Sequence, residues 1–197
     1  HTINFLVTGL GMLATTYAMS KQDLRSFRYI INVGVAGAFE KELALGQVVH
    51  VVSEEVEGFG ISSPNGFRPI FASALMDNDK LPFQEGKLLA PEVLQANTSL
   101  ENLTKVAGLT SDTVHGEQKE IDMIQERYTA DIETMESAAF FYVCKREGCE
   151  QWIALRGISN YVEPRNRKAW KLNEAIEQVN KTVINLLTEL TNKHRDE

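Results

Sequence analysis

The chain has few cysteines, no long apolar run and no surplus of basic charge, and each shortage closes off a class of protein. Cys144 and Cys149 are the only cysteines in 197 residues. Their spacing is not that of a CxxC motif, and their density is far below that of a disulfide scaffold. The thiols are therefore expected to be reduced. No stretch reaches the 18 or so apolar residues of a membrane span, and the first 20 residues lack a secretory pattern. A soluble, cytoplasmic protein is expected. Twenty Lys and Arg against 27 Asp and Glu leave a net charge of −7, the wrong sign for a broad phosphate-neutralising surface. The expected partner is a small molecule, with neither nucleic acid nor membrane. His1, His50, His115 and His194 are scattered without ligand spacing, so no metal and no cofactor are expected. Repeats, linkers and low-complexity segments are missing, and the charged tail Lys193 to Glu197 reads as solvated.

What is present is an alternation of apolar strands and helices, in a length that suits one domain over 1–197. Ile3 to Thr8 reads as a strand closed by Gly9 and Gly11, followed by a helix over Met12 to Ser20. Tyr29 to Val33, closed by Gly34-Val35-Ala36-Gly37-Ala38, and Gln47 to Ser53 read as two more strands. Three apolar strands in 50 residues suggest a central sheet covered on both faces. Gly58 to Leu100, punctuated by proline and glycine, reads as loops and short strands. Beyond it come a strand at Val106 to Thr110 and a helix in Gly116 to Tyr128. An extended Ala130 to Thr134, a helix over Met135 to Glu147, a buried strand at Trp152 to Ile158 and an amphipathic helix from Trp170 to Asn192 complete the chain.

Four constellations carry possible chemistry. Gly9-Leu10-Gly11 offers backbone N–H groups and a helix N-terminus to an anion or a water, or is simply a tight turn. The small residues Gly34 to Ala38 let a planar ligand approach the backbone, or serve helix–strand packing. Asp131-Ile132-Glu133-Thr134-Met135-Glu136-Ser137 places three acids where a strand meets an apolar helix. Carboxylates there need a ligand or a buried donor, unless Glu136 is only a first-turn acid favoured by the helix dipole. Ser159-Asn160 follows a buried strand, where ligands of open α/β sheets collect, and is equally a common turn.

In this order the pieces resemble the purine nucleoside phosphorylase and nucleosidase superfamily, which includes methylthioadenosine/S-adenosylhomocysteine nucleosidase. Gly9-Leu10-Gly11, Asn32 to Gly37, Glu133 to Ala139 and Arg156-Gly157-Ile158-Ser159-Asn160 carry the resemblance. Within the superfamily, Ser159 to Arg167 followed by Trp170 is similar to the C-terminal motif of the futalosine hydrolase family. The resemblance implies a three-layer α/β/α sandwich with a central mixed β-sheet and a site at its strand ends. It also implies that Glu136 accepts from the ribosyl 2′- and 3′-hydroxyls and that Met135 packs on the sugar. Thr113 and Val114 would lie along the base, Ala36 and Gly37 would form the turn beside the nucleoside, and Asn160 would face the purine ring.

Adenosine-cleaving relatives resemble one another in an Asp at the position of Asn160, which as an acid protonates the departing adenine. An amide instead suits a 6-oxopurine such as hypoxanthine. The implied reaction is hydrolysis of a purine nucleoside, and for the futalosine group a step of menaquinone biosynthesis. Arg165 or Arg167 is the candidate for a substrate carboxylate, with two solvated arginines as the other reading. The family's opening strand and its water-activating Glu are expected to be missing from this chain, and Glu133 does not match that base. The alternatives are a phosphorylase, an adenosine-type nucleosidase, and a nucleoside-binding module without catalysis. Relatives form dimers or larger rings, so a homo-oligomer is expected, favouring a dimer. Phe59, Ile61, Phe67, Ile70 and Phe71 line either a subunit contact or the chain's own core.

Overall fold

The computed structural model describes residues 2–73, 75–92 and 98–193. The tail at 194–197 and the part of the loop region at 93–97 lie outside the described residues. Helix α1 (Gly11–Ser20) is followed by strands β1 (Ile30–Ala38) and β2 (Val48–Val56), the hairpin β3 (Gly60–Ser63) and β4 (Gly66–Pro69), and the short β5 (Leu88–Leu89). Then come α2 (Thr98–Glu101), β6 (Thr104–Thr110), α3 (Gln118–Arg127), β7 (Ile132–Thr134), α4 (Ser137–Arg146), β8 (Trp152–Tyr161) and α5 (Leu172–Lys193).

The main sheet is mixed, in the order β5-β2-β6-β7-β1-β8. β1 runs parallel to β8 and antiparallel to β7, while β6 is parallel to both β2 and β7. β2 also pairs antiparallel with β8, so the long strands close into a ring. Helices cover both faces, α4 on one with α1 packed against it, and α5 with α2 on the other. On the α4 side Phe140, Phe141 and Trp152 meet edge to face inside a core that takes in Val49, Val51, Val106 and Ile158. α5 buries Val179, Leu186 and Leu190 against Ile153 and Leu155. Its apolar residues recur at helical spacing, which is why the sequence reveals it.

Three sequence expectations are corrected. Ile3 to Thr8 forms no strand. Its side chains stand open, Phe5 90 % and Val7 92 % exposed. An extended apolar segment becomes a strand only where a ladder satisfies its backbone, and none of the described strands lies beside it. Second, Ala36 and Gly37 lie inside β1 rather than in a turn after it, because β8 pairs with both and β7 pairs with Gly37. Third, β8 runs through Ser159 and Asn160 to Tyr161 instead of ending before them. Of the aromatic residues between 58 and 83, Phe71 packs against Phe59 and the buried Phe83, and Phe67 packs under Arg127. Phe71 and Phe67 thus pack against the chain's own core, while Phe59 is 40 % exposed.

Candidate active site

The acids between Asp131 and Ser137 separate into distinct tasks. Asp131 secures the sheet, its Oδ2 accepting from the Ala107 N–H at 2.7 Å. Glu136 stands at the N-cap position of α4, and its side chain reaches away from that helix. Its Oε1 accepts from the Gly11 N–H at 2.9 Å. The N-terminus of α1 is thus an anion site, as its glycines allow, and the anion it holds is the carboxylate of Glu136. Met135, half-buried, precedes it in the turn from β7 to α4.

Glu133 meets a residue that sequence reasoning passed over. His115 Nδ1 contacts Glu133 Oε1, and the His115 backbone N–H donates to Glu133 Oε2 at 3.3 Å. The two side chains are only 8 % and 6 % exposed. Burial pushes the Glu133 carboxyl up, while the hydrogen bond and charge of His115 oppose the rise. A lone histidine in a loop 18 residues from its partner has no spacing signature, so only the fold reveals the pair.

Asn160 is placed by an irregularity in β8. Ala36 pairs with Ile158 but Gly37 with Asn160, so Ser159 is an extra residue in the ladder. Such a bulge re-aims the side chains that follow it. Register partners share a face of the sheet, and Gly37 pairs with Asn160 on one side and Glu133 on the other. A side chain at Gly37 would come within 3.0 Å of Asn160 Nδ2 and Val162 Cγ2, so glycine is what leaves the amide its room. Asn160 Nδ2 donates to the Tyr161 carbonyl at 3.0 Å, and the Ser159 hydroxyl lies 2.8 Å from Asn160 Oδ1 and 3.1 Å from the Ala36 carbonyl. Because a carbonyl only accepts, the Tyr161 contact fixes which end of the amide is nitrogen.

The segment after β6 is pinned by polar contacts. Thr113, exposed, has its N–H on the Ser111 hydroxyl at 3.0 Å, and Val114 follows it. Arg165 holds this loop from outside. Its N–H donates to the Gly116 carbonyl at 3.1 Å, its guanidinium reaches the Val114 carbonyl at 3.5 Å, and the same group lies over the Trp170 ring. Beyond it an open groove of about 660 Å³ is lined by Arg167, Trp170 and Lys171, and the Lys171 N–H donates to the Ser159 carbonyl at 2.7 Å.

Beneath Glu136 lies a buried polar network that fixes α4 to the sheet. The Thr110 hydroxyl donates to Glu54 Oε2 at 2.9 Å and accepts from the Ala138 N–H at 2.8 Å. Arg156, fully buried, donates to Asn32 Oδ1, to Ser137 Oγ and to the Leu155 carbonyl. Burial pulls its guanidinium below its ordinary value, and the charges of Glu54 and Glu136 pull it back. Glu54 Oε1 is buried with no hydrogen-bond partner among the described residues. It sits where a side chain on Gly108 would otherwise fall, at 2.1 Å.

A family model described as the phosphorylase superfamily matches residues 2–192. The chain belongs to the phosphorylase superfamily. Within it, the chain is 29 % identical over 186 residues to the futalosine hydrolase of Thermus thermophilus, an alignment covering 94 % of this chain and 81 % of that protein. It is 26 % identical over 155 residues to the futalosine hydrolase of Streptomyces coelicolor, covering 78 % of this chain and 63 % of that protein, less than two thirds of its length. A solved methylthioadenosine/S-adenosylhomocysteine nucleosidase from Colwellia psychrerythraea, in complex with adenine, superposes with a TM-score of 0.74 at 19 % identity over 93 % of this chain and 76 % of that one. The native futalosine hydrolase of Helicobacter pylori gives 0.75 at 15 % identity, over 92 % and 77 %. At these identities the two structures establish a shared fold, the mixed sheet between helical layers.

Among the described residues of this superfamily member, no group of three or more His, Cys, Asp or Glu gathers as a metal site. No described helix is long and apolar enough to cross a membrane.

Proposed function

We propose that the protein hydrolyses the N-glycosidic bond of futalosine, releasing hypoxanthine and leaving dehypoxanthine futalosine, a step of menaquinone biosynthesis. The observation that carries this reading is the amide of Asn160 beside Gly37, in place of an acid. Its N–H not used by Tyr161 and the free lone pair on its oxygen match the acceptor and N–H of a 6-oxopurine edge. The similarity to the Thermus and Streptomyces futalosine hydrolases supports the same substrate.

In this reading Glu136 accepts from the ribose hydroxyls with the carboxylate oxygen that Gly11 leaves free. Met135 packs on the sugar, Thr113 and Val114 lie along the base, and Ala36 and Gly37 form the strand floor beside it. Loss of the base puts positive charge on the sugar, which the Glu136 carboxylate stabilises as water attacks C1′. Arg165 keeps donors to spare after its contact with Val114, and these receive the distal carboxylate of futalosine. We place the protein in the cytoplasm, in keeping with its two free thiols. A second copy would cover the apolar side chains left open at Phe5, Val7, Leu10, Leu13 and Tyr17, giving a dimer.

Base choice tests the reading. Offered futalosine and methylthioadenosine at equal concentration, the protein should favour hypoxanthine release over adenine release by more than about 100-fold. Comparable release of adenine would overturn it.

A further inference from the structure

If the base leaves from beside Asn160, its proton must come from elsewhere, because an amide is no acid. On the same face of the sheet lies the buried Glu133, with His115 in contact with it. Glu133 and Asn160 flank Gly37 in register from the two neighbouring strands. Two strand spacings set their backbones about 10 Å apart. His115 directly follows Val114 in the loop after β6. Glu133 holds it twice, through the ring and through the backbone N–H, so that the direction of the second ring nitrogen is fixed.

We propose that His115, oriented by Glu133, donates the proton taken up by the departing base. This rests on the hydrolase reading above. The C1′–N9 bond breaks with its electron pair going to the purine, and the proton passes from the second ring nitrogen of His115 to a purine nitrogen. Water adds its oxygen to C1′ and gives up a proton to solvent, and solvent returns one to His115. Glu133 and His115 stand against each other in a setting where either charge alone is costly. Burial and the neighbouring charge of Glu57 push Glu133 towards its neutral form, and the contact with His115 works against them. The other charged groups about the loop are Asp112 and Glu117 within it and Arg165, which clasps it from the segment after β8.

The test compares two leaving groups in wild type, His115→Asn and Glu133→Gln. One substrate is futalosine, and the other is its N7-methylated form, whose base departs neutral without a proton. Asn at 115 keeps an N–H for Glu133 and removes the acid. Expected for His115→Asn is a loss of about 10²-fold or more in kcat/KM on futalosine, against a loss of only a few-fold on the methylated substrate. Glu133→Gln should show the same contrast in smaller measure. Equal losses on both substrates would make His115 a structural latch for its loop and overturn the proposal, as would wild-type rates on futalosine. A wild-type protein that cleaves neither compound removes the hydrolase reading itself, and the proposal with it. Matching melting temperatures for the variants tie the losses to chemistry rather than folding.

Discussion

Replacing Glu136 with Gln should lower kcat/KM for nucleoside cleavage by about 10² to 10³-fold while leaving the melting temperature within a few degrees of wild type. The carboxylate has two tasks. Oε1 takes the Gly11 N–H, which ties the start of α1 to the turn between β7 and α4. Oε2 has no protein donor among the described residues. A glutamine oxygen can keep the first bond, so the fold should tolerate the change. In the proposed reading its amide nitrogen then stands where a ribose hydroxyl needs an acceptor, and the negative charge that would face the developing oxocarbenium ion is gone. The loss should fall on kcat more than on KM, since the charge matters most in the transition state. Turnover at the wild-type rate would show that Glu136 does not touch the sugar.

Glu54→Gln should act on stability, and its effect should grow with pH. The Glu54 carboxyl is fully buried and is pushed from 4.5 up to about 8, chiefly by burial, with the Thr110 hydroxyl and the charge of Arg156 pulling the other way. Between about pH 4.5 and 8 the folded protein therefore holds a proton that the unfolded chain has released. The folded state binds more protons over that range, so its stability is fully present below 4.5 and falls as pH rises through 8. Glutamine removes the titration, still accepts from Thr110 through its oxygen, and carries no charge to desolvate. The variant should show a flatter melting temperature between pH 5 and pH 8 and a gain over wild type at the alkaline end, on the order of a few kcal/mol. Melting curves across that range check it. Parallel pH profiles for the two proteins would mean that Glu54 is already ionised in the fold.

How much of this was legible before the fold was seen depends on how local the cause is. The spacing of Leu172, Ile176, Val179, Val183, Ile184, Leu187 and Leu190 announces α5 because burial of one face is written every three or four residues, although Ile176 and Ile184 stay exposed and the buried Leu186 was not among them. The buried strands β1, β2, β6 and β8 are likewise apolar runs, so the central sheet between helices could be expected. The ends of those strands could not. Gly34 and Gly37 look like a turn, yet partners on both sides keep β1 extended, and pairing is a property of distant residues. Ile3 to Thr8 errs the other way, an apolar run that finds no ladder. The bulge at Ser159 that turns Asn160 to the face of Gly37 is a matter of register alone. The three acids at 131, 133 and 136 drew attention as a group, but their tasks were set by Ala107, His115 and Gly11, residues 18 to 125 positions away.

The central claim is that this chain is a hydrolase of a 6-oxopurine nucleoside, and the most direct measurement is the product formed from futalosine with and without phosphate. Chromatography of the reaction should show hypoxanthine and a free reducing sugar in equal amounts, at a rate independent of added phosphate. A rate that rises with phosphate and yields a sugar 1-phosphate would contradict hydrolysis, and tight binding of futalosine with no hypoxanthine at all would contradict catalysis.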